Sequence, residues 1–250
     1  MAQPIYDDAF YRVTDAAAET SAQRIVPLIL DLWPIRSVVD LGCARGAWLG
    51  AFRAKGIVDI FGFDGPWLDT AWLKIPADRY RSIDLNAPIN VARRFDLAIS
   101  LEVAEHVRPE CAKTIVANLV SLAPVVLFSA AVPGQGGVEH LNEQWPSYWA
   151  AIFREHGYRV LDLLRPLIWN DSSIAWWYRQ NLLLFATEAA VIDHKNLSIF
   201  MSSSEPLPLI HPELFSRVLK LAQPRLGRWM KMMPDAIIRS LAARRGRTLR

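Results

Sequence analysis

The segment SVVDLGCARGAWLGAF, residues 37–52, places a sharp turn between an apolar strand and a helical stretch. The turn, residues 40–46, is rich in small residues, which let a ligand approach the backbone closely. The helical pattern that follows, residues 47–55, offers the N–H groups of its first turn to an anion such as a carboxylate. This arrangement predicts a ligand-binding turn at the carboxyl end of a strand, although a purely structural turn fits the same pattern.

Short apolar runs separated by helical stretches continue along the chain and predict a parallel sheet covered on both faces. Seven such runs are present: residues 38–41, 60–64, 80–85, 95–101, 125–130, 158–164 and 182–187. A covering helix is expected before the first run, over residues 21–33, with Ser21 as its N-cap and Pro27 near its first turn.

Two acidic residues close later runs of the predicted sheet. Asp64 lies 18 residues past Gly46, a spacing at which a carboxylate binds the hydroxyls of a ribose. Asp84 lies where a carboxylate accepts a hydrogen bond from an adenine amino group, with the Leu85 N–H beside it. Together these groups predict a nucleoside ligand at one edge of the sheet. A dinucleotide-binding domain is the competing interpretation, but Ala47 replaces the third glycine of its Gly-x-Gly-x-x-Gly turn.

On these residues the chain resembles the class I S-adenosylmethionine-dependent methyltransferases, over roughly residues 20–187. VVDLGCARG is similar to the first motif of that family, FGFD to the second, SIDL to the third and FDLAISLEVAEHV to the motif after it. The resemblance implies an α/β, Rossmann-like fold with a seven-stranded, mostly parallel sheet, a reversed last strand and helices on both faces. It also implies S-adenosylmethionine as cofactor, with S-adenosylhomocysteine as product, across the ends of the first four strands.

The cofactor-binding residues that the resemblance implies lie in the turn and at the strand ends. They are Asp40, Gly42, Cys43, Ala44, Gly46, Trp48, Asp64, Gly65, Asp84, Leu85, Ser100, Leu101 and Glu102. Ala44 stands where the family has glycine, and its methyl group is expected to face the cofactor.

The methyl acceptor is predicted from two further segments. SLEVAEHV resembles the small-molecule O-methyltransferases of the ubiquinone-biosynthesis type, and residues 136–158 resemble bacterial methyltransferases of glycan and secondary-metabolite pathways. Asn142, Gln144, Trp145, Tyr148 and Trp149 are expected to bind such an acceptor, since amides suit hydroxylated ligands and indole faces stack on sugar rings. Buried aromatic packing is the alternative for each ring.

Removal of a hydroxyl proton requires a base, and His140 is the leading candidate. It follows the glycine-rich stretch 133–137, which is expected to move and admit substrate, and Glu143 is near enough in sequence to fix its tautomer. His106 is the second candidate. The alternatives are that residues 140–143 only cap the next helix and that His106 is structural, with Glu102 and Glu105 solvated. No metal site is expected, because His140 and its acidic neighbours lack a partner set with ligand spacing.

The predicted activity is therefore O-methylation of a small polar metabolite or a sugar. Methylation at nitrogen or carbon by positioning alone remains open, as does a non-catalytic protein that binds S-adenosylmethionine as a scaffold. Nucleic acid is not expected as a partner, because residues 1–210 carry 18 basic and 23 acidic residues.

The C-terminal segment differs in charge from the rest of the chain. Residues 211–250 hold ten Lys/Arg against two acidic residues. We expect a methyltransferase domain over residues 1–200, a linker over 201–212 and a basic amphipathic helical tail over 213–250, which is suited to peripheral contact with an anionic membrane. The N-terminus lacks a signal-peptide pattern and the chain has only two cysteines, so a cytoplasmic location is expected.

Overall fold

The computed structural model describes residues 8–192 and 205–222. The strands are β1 (Ser37–Leu41), β2 (Asp59–Asp64), β3 (Tyr80–Ser82), β4 (Leu97–Leu101), β5 (Val125–Ser129), β6 (Tyr158–Leu161) and β7 (Leu183–Thr187). The helices are α1 (Asp8–Leu32), α2 (Ala47–Ala54), α3 (Ala112–Leu122), α4 (Pro146–Glu155), α5 (Leu164–Ile168), α6 (Trp176–Asn181), α7 (Glu188–Val191) and α8 (Pro212–Ala222).

The seven strands form one sheet in the order β3-β2-β1-β4-β5-β7-β6. The first five pair in parallel, whereas β7 runs antiparallel to both of its neighbours. The carboxyl ends of β1, β2, β4 and β5 therefore meet at one edge. The structure confirms the predicted Rossmann-like sheet and its reversed last strand.

Helices cover both faces of the sheet, and the alternation of strand side chains assigns each residue to one face. Val38 of β1 packs with α1, α2, α5 and α6, while Val39, the next residue, packs with α3 and α4. The central strands β1, β4 and β5 are buried at every position. Burial on both faces explains why these strands read as continuous apolar runs rather than alternating ones.

The first helix is longer than the sequence pattern predicts. It begins at Asp8 rather than near residue 21, so Pro27 lies inside it. The predicted cap at Ser21 is wrong, because this side chain lies in the middle of the helix and its hydroxyl donates to the Ala17 carbonyl (2.6 Å). The same hydroxyl accepts from the Ala175 N–H (3.0 Å), which joins α1 to the segment before α6.

The third strand is shorter than predicted and ends at Ser82, so Asp84 lies in a loop two residues beyond it. The Phe95 end of the fourth predicted run also lies outside its strand, which begins at Leu97. The remaining predicted strands agree with the structure to within a few residues.

The chain divides after His211 into two compact units, residues 1–211 and 212–250. Part of the predicted linker belongs to the first unit: the His211 N–H donates to Gln180 Oε1 (2.7 Å), and Arg165 donates to the Leu207 carbonyl (3.0 Å). The second unit contains α8, at the start of the predicted tail, and the amphipathic tail itself stays a prediction. The rest of that predicted tail, residues 223–250, lies outside the described residues. Among the helices that are described, none has the length and apolar content needed to cross a bilayer.

Candidate functional site

Backbone conformation and backbone hydrogen bonds define the turn after β1. Gly42, Ala44 and Gly46 have positive φ angles of 90°, 46° and 86°. The N–H groups of Gly42 and Cys43 both donate to the Phe63 carbonyl (2.8 and 3.0 Å), which fastens the turn to β2. Gly46 is the N-cap of α2, so the first N–H groups of that helix lie next to the turn. Ala44 occupies the left-handed region that glycine adopts without strain, which explains why glycine suits this position.

Asp64, at the end of β2, closes the turn from the opposite side. Its carboxylate accepts from the N–H groups of Ala44 and Gly65, both at 2.6 Å, and from the side chain of Trp67. Burial raises the pKa of Asp64, and the hydrogen bonds from Ala44 and Gly65 oppose that rise. The Trp67 ring lies over Gly65, since a Cβ added there would fall 2.0 Å from it. Asp64 therefore faces the turn, and its contact with a ribose stays a prediction.

Three other predicted cofactor residues have buried side chains. Burial, with a further contribution from the Asp64 carboxylate, raises the pKa of Asp40 well above its usual value. Cys43 packs against Gly62 in the core, with its Sγ 2.7 Å from the position of an added Cβ. The indole of Trp48 is 5% exposed and lies edge-on to Tyr178. The side chains of Cys43 and Trp48 therefore belong to the core.

Asp84 and Leu85 occupy a loop at the side of the same edge. The Asp84 carboxylate is exposed and accepts from the Asn86 N–H (2.9 Å), which forms a local turn. Leu85 is buried against the sheet, and its side chain fixes the loop in place. The neighbouring Asp84 carboxylate is therefore accessible at this edge, and its contact with an adenine stays a prediction.

The end of β4 contributes a polar network that the sequence pattern does not reveal. Ser100 donates to the Leu41 carbonyl (2.8 Å), which joins β4 to β1. Glu102 follows with φ 56°, a strained value for a residue other than glycine. Its carboxylate accepts from Gln135 Nε2 (2.9 Å) and Asn181 Nδ2 (3.1 Å), two residues far apart in sequence. The Glu102 side chain therefore links the end of β4 to the 133–137 loop and to α6.

The two candidate base residues lie side by side. The Glu105 carbonyl accepts from the N–H groups of Leu141 and Asn142 (2.8 and 2.9 Å), and these bonds hold the loop after β5 against the loop after β4. The rings of His106 and His140 then meet edge to face, with centroids 4.9 Å apart. Burial and the neighbouring His140 lower the pKa of His106 to about 4, so this ring is neutral at pH 7.

Each of these imidazoles is oriented through its Nδ1 atom. His140 Nδ1 lies 2.9 Å from Glu143 Oε1, and His106 Nδ1 lies 3.2 Å from the Glu139 carbonyl. Glu143 also accepts from the N–H groups of Gly134 and Gly136, both at 2.7 Å. The glycine-rich loop expected to move is thus tied to the same carboxylate that orients His140.

Glu105 is fully buried, in contrast to the alternative in which it is solvated. Within the described residues, its polar neighbours include its own N–H group, that of Ala131 and the Glu102 carboxyl, and none of them reaches good hydrogen-bond geometry. Burial, together with the nearby Glu102 carboxylate, raises the pKa of Glu105 well above its usual value. Ligand atoms of Glu105, His106 and His140 all lie within 4.8 Å of one another. The expectation that His140 lacks metal-ligand partners is therefore wrong as a matter of geometry.

The predicted acceptor-binding residues divide into two groups. Gln144, Trp145 and Tyr148 retain accessible surface and remain candidates. Trp149 is 2% exposed and packs against Phe128 in the core, so its predicted contact with the acceptor is wrong. Asn142 is also buried, and its Oδ1 accepts from Gln144 Nε2 (3.0 Å), so it orients Gln144.

A group of charged residues next to the turn is not predicted by any sequence pattern. Arg45 lies over the Trp72 ring, 4.7 Å from its centroid, and pairs with Asp15 of α1 at 3.6 Å. Lys74 pairs with the same carboxylate at 3.2 Å, and its N–H donates to the Arg45 carbonyl (2.8 Å). These contacts fix α1 and the 70–75 segment against the turn. Asp15 on α1 and Lys74 after β2 lie far apart in sequence, so no local pattern predicts that they pair.

Comparisons with known proteins agree with this architecture. A family model described as a methyltransferase domain matches residues 11–160. No curated protein matches the sequence. The sugar N-methyltransferase KedS8 from Streptoalloteichus sp ATCC 53650 has a similar structure, with a TM-score of 0.56, 15% identity and coverage of 75% of this chain and 97% of that chain.

Two further solved structures are similar to the same extent. CalS10 from Micromonospora echinaspora, an amino pentose methyltransferase solved with S-adenosylmethionine, gives a TM-score of 0.53 at 14% identity, covering 74% of this chain and 99% of that chain. Magnesium protoporphyrin IX methyltransferase from Synechocystis PCC 6803, solved with S-adenosylhomocysteine, gives 0.52 at 16% identity, covering 70% and 86%. Because the family model spans more than half of the sequence and the sheet has the matching topology, the chain belongs to the methyltransferase-domain family and has the class I S-adenosylmethionine-dependent fold.

Proposed function

We propose that the protein methylates a hydroxyl group of a small polar metabolite or a sugar, with S-adenosylmethionine as donor and His140 as general base. The observation that carries the proposal is the contact of His140 Nδ1 with Glu143 Oε1 (2.9 Å). A carboxylate on Nδ1 holds the proton there, so the lone pair of the neutral ring lies on Nε2, where a base needs it.

The turn after β1 fits the donor on three counts. Small residues at 42, 44 and 46 permit close approach to the backbone, and the start of α2 suits the carboxylate of the methionine end. Asp64 is the residue that would accept from the ribose hydroxyls, exchanging its hydrogen bonds to Ala44 and Trp67 for them. Asp84 is accessible for the adenine amino group. When bound, S-adenosylmethionine supplies an electrophilic methyl carbon on a sulfonium.

The proposed acceptor site lies at the same edge of the sheet as the turn after β1. Val103 contacts both the turn and the histidine loop: a Cβ added to Gly42 would fall 2.4 Å from its Cγ2, and its carbonyl accepts from the His106 N–H (2.9 Å). In the proposed reaction the acceptor oxygen bonds to the methyl carbon as the methyl–sulfur bond breaks, and the hydroxyl proton moves to His140 Nε2. Glu143 then stabilises the charged imidazolium. Gln144 and Trp145, which retain accessible surface, are the residues that would orient a polar acceptor.

A methyl-transfer assay tests the proposal, using labelled S-adenosylmethionine and panels of hydroxylated and amino sugars and small phenols. The expected result is transfer to a hydroxyl, with a loss of about 10²–10⁴-fold in kcat for His140→Ala. His156→Ala, a change at an exposed histidine, is the matched control and should retain activity. Transfer only to amines, with full activity in His140→Ala, would instead support N-methylation by positioning. S-adenosylmethionine binding without transfer to any class would support the scaffold alternative.

A further inference from the structure

We propose that Glu105, His106 and His140 bind a divalent transition-metal cation at the acceptor side of the site. Their ligand atoms lie within 4.8 Å of one another. Ligands bound to one cation at about 2.1 Å each lie roughly 3–4 Å apart, so closure around a cation requires side-chain shifts of about 1 Å or less. Two imidazoles and one carboxylate form a donor set that suits first-row cations and leaves coordination positions open for a ligand oxygen.

The hydrogen bonds of the two imidazoles place them in the tautomer that metal binding requires. His140 Nδ1 faces the Glu143 carboxylate and His106 Nδ1 faces the Glu139 carbonyl. A histidine that ligates a metal through one nitrogen commonly donates its other N–H to a carboxylate or a backbone carbonyl. Here the two rings have one partner of each kind, and both therefore carry their lone pair on Nε2.

Gly137 leaves the in-plane lone pair of His140 accessible. A Cβ added at Gly137 would lie 2.1 Å from His140 Nε2, 2.5 Å from Cε1 and 2.6 Å from Cδ2. These three distances differ little, so Gly137 lies over the face of the ring rather than in its plane. Glycine at this position accommodates the ring without blocking the direction in which Nε2 would bind a cation.

Glu105 supplies an independent indication of a ligand. It is 0% exposed, and its polar neighbours in the described part of the chain, which include the N–H groups of Glu105 and Ala131 and the Glu102 carboxyl, do not reach good hydrogen-bond geometry. A buried carboxylate with only weak partners is costly, and coordination to a cation is one of the arrangements that compensate it. The second carboxylate nearby, Glu102, is already bound by Gln135 and Asn181, so it adds negative potential and is not counted as a ligand.

The role of such a cation rests on the proposed hydroxyl acceptor, whereas its binding does not. An acceptor oxygen bound to the cation has a lowered pKa, and its proton is then released to water as the bond to the methyl carbon forms. The cation and the general base compete for the same lone pair of His140. The metal content of the active protein therefore decides between the two roles.

Titration of tag-free, chelator-treated protein with Co²⁺ tests binding without cofactor or acceptor. The visible absorption of Co²⁺ is expected to change in a one-to-one titration. His106→Ala and His140→Ala should weaken binding by more than about 100-fold, since loss of a residue that only hydrogen-bonds to a metal ligand already costs about 10–100-fold. Glu143→Gln should fall in that smaller range, and the exposed-site control His156→Ala should bind as the wild type does. Glu105→Gln keeps the side-chain volume and should weaken binding even if the histidine variants fold poorly.

Two outcomes overturn the proposal: a Co²⁺ spectrum that remains that of the hydrated ion, or equal affinity in wild type and Glu105→Gln. The methyl-transfer assay then separates this proposal from the function. Protein that binds Co²⁺ but methylates no hydroxyl retains the cation site and loses the proposed acceptor. Chelated protein that methylates hydroxyls at the full rate, without Co²⁺ binding, retains the function with His140 as base and loses the cation.

Discussion

The donor region and the acceptor region of the site are built in different ways. The donor region, residues 37–65, is one strand-turn-helix-strand segment whose turn is fastened by backbone hydrogen bonds to β2. The acceptor region consists of residues 102–106 and 133–144, and its loops are held together by side chains from separate elements. The first region depends on local conformation, whereas the second depends on distant partners. Substitutions in the two regions should therefore have separable effects on cofactor binding and on methyl transfer.

The largest expected effect is the loss of cofactor binding in Asp64→Ala. Two hydrogen bonds from a ribose to a charged group stabilise a complex by about 1.5–3 kcal/mol each, so we expect affinity to fall by about 100-fold or more. Calorimetry with S-adenosylmethionine measures this change. Asp78→Ala, at a carboxylate that is 77% exposed, is the matched control. His140→Ala should bind the cofactor normally; an equal loss in both variants would mean that the two regions are not separable.

The next effect, in the acceptor region, is expected from Gly137→Ala. The added methyl group would lie 2.1 Å from His140 Nε2 and must displace the ring. We expect kcat to fall at least tenfold, because a steric displacement in a packed site costs about 1–3 kcal/mol. Cofactor affinity should be unchanged. Gly50→Ala is the matched control, since an added Cβ there meets no atom within 4 Å among the described residues.

The contrast between the two regions also explains what the sequence predicts. The turn at 42–46 and Asp64 could be recognised because a strand, small residues and a carboxylate at fixed spacing fall within 28 residues. The seven strands could be recognised because burial on both faces makes them apolar throughout. His140 and Glu143 were identified through their sequence proximity. Trp149 was assigned to the acceptor site, although it lies in the core, because an aromatic at helical spacing has the same pattern in either place.

The unpredicted groups share a dependence on tertiary packing. Gln135 and Asn181 reach the same carboxylate of Glu102 from 33 and 79 residues away. Burial of Glu105 likewise follows from the position of its loop against the loop after β5, whose backbone it holds. A single sequence contains no periodicity or spacing that records such contacts, so residues of this kind are found only once the fold is known.

A smaller effect concerns the stability of the donor region as a function of pH. Burial raises the pKa of Asp40 in the folded state, so the folded protein binds a proton more tightly than the unfolded chain does. This contribution to stability is fully present below the unfolded pKa and is lost as pH rises through the folded pKa. Asp40→Asn cannot ionise and should therefore lose less stability than the wild type between pH 5 and pH 8. Thermal unfolding at several pH values measures the difference, and parallel curves for both proteins would contradict the assignment.

The smallest expected effect comes from residues 205–211, which lie behind the acceptor region. His211 donates to Gln180, Gln180 donates to Asn181, and Asn181 donates to Glu102. Protein ending at residue 204 should melt at least a few degrees below protein ending at 211, because it loses this bond and the one from Arg165 to Leu207, each worth about 1 kcal/mol. It also loses the contacts of Glu205 with Arg154 and of His211 Nε2 with the Trp169 carbonyl. Both truncated proteins should bind S-adenosylmethionine equally, since the donor region is intact in each. A difference confined to methyl transfer would assign residues 205–211 to the acceptor region, and a difference in cofactor affinity would show that the regions are coupled through Glu102.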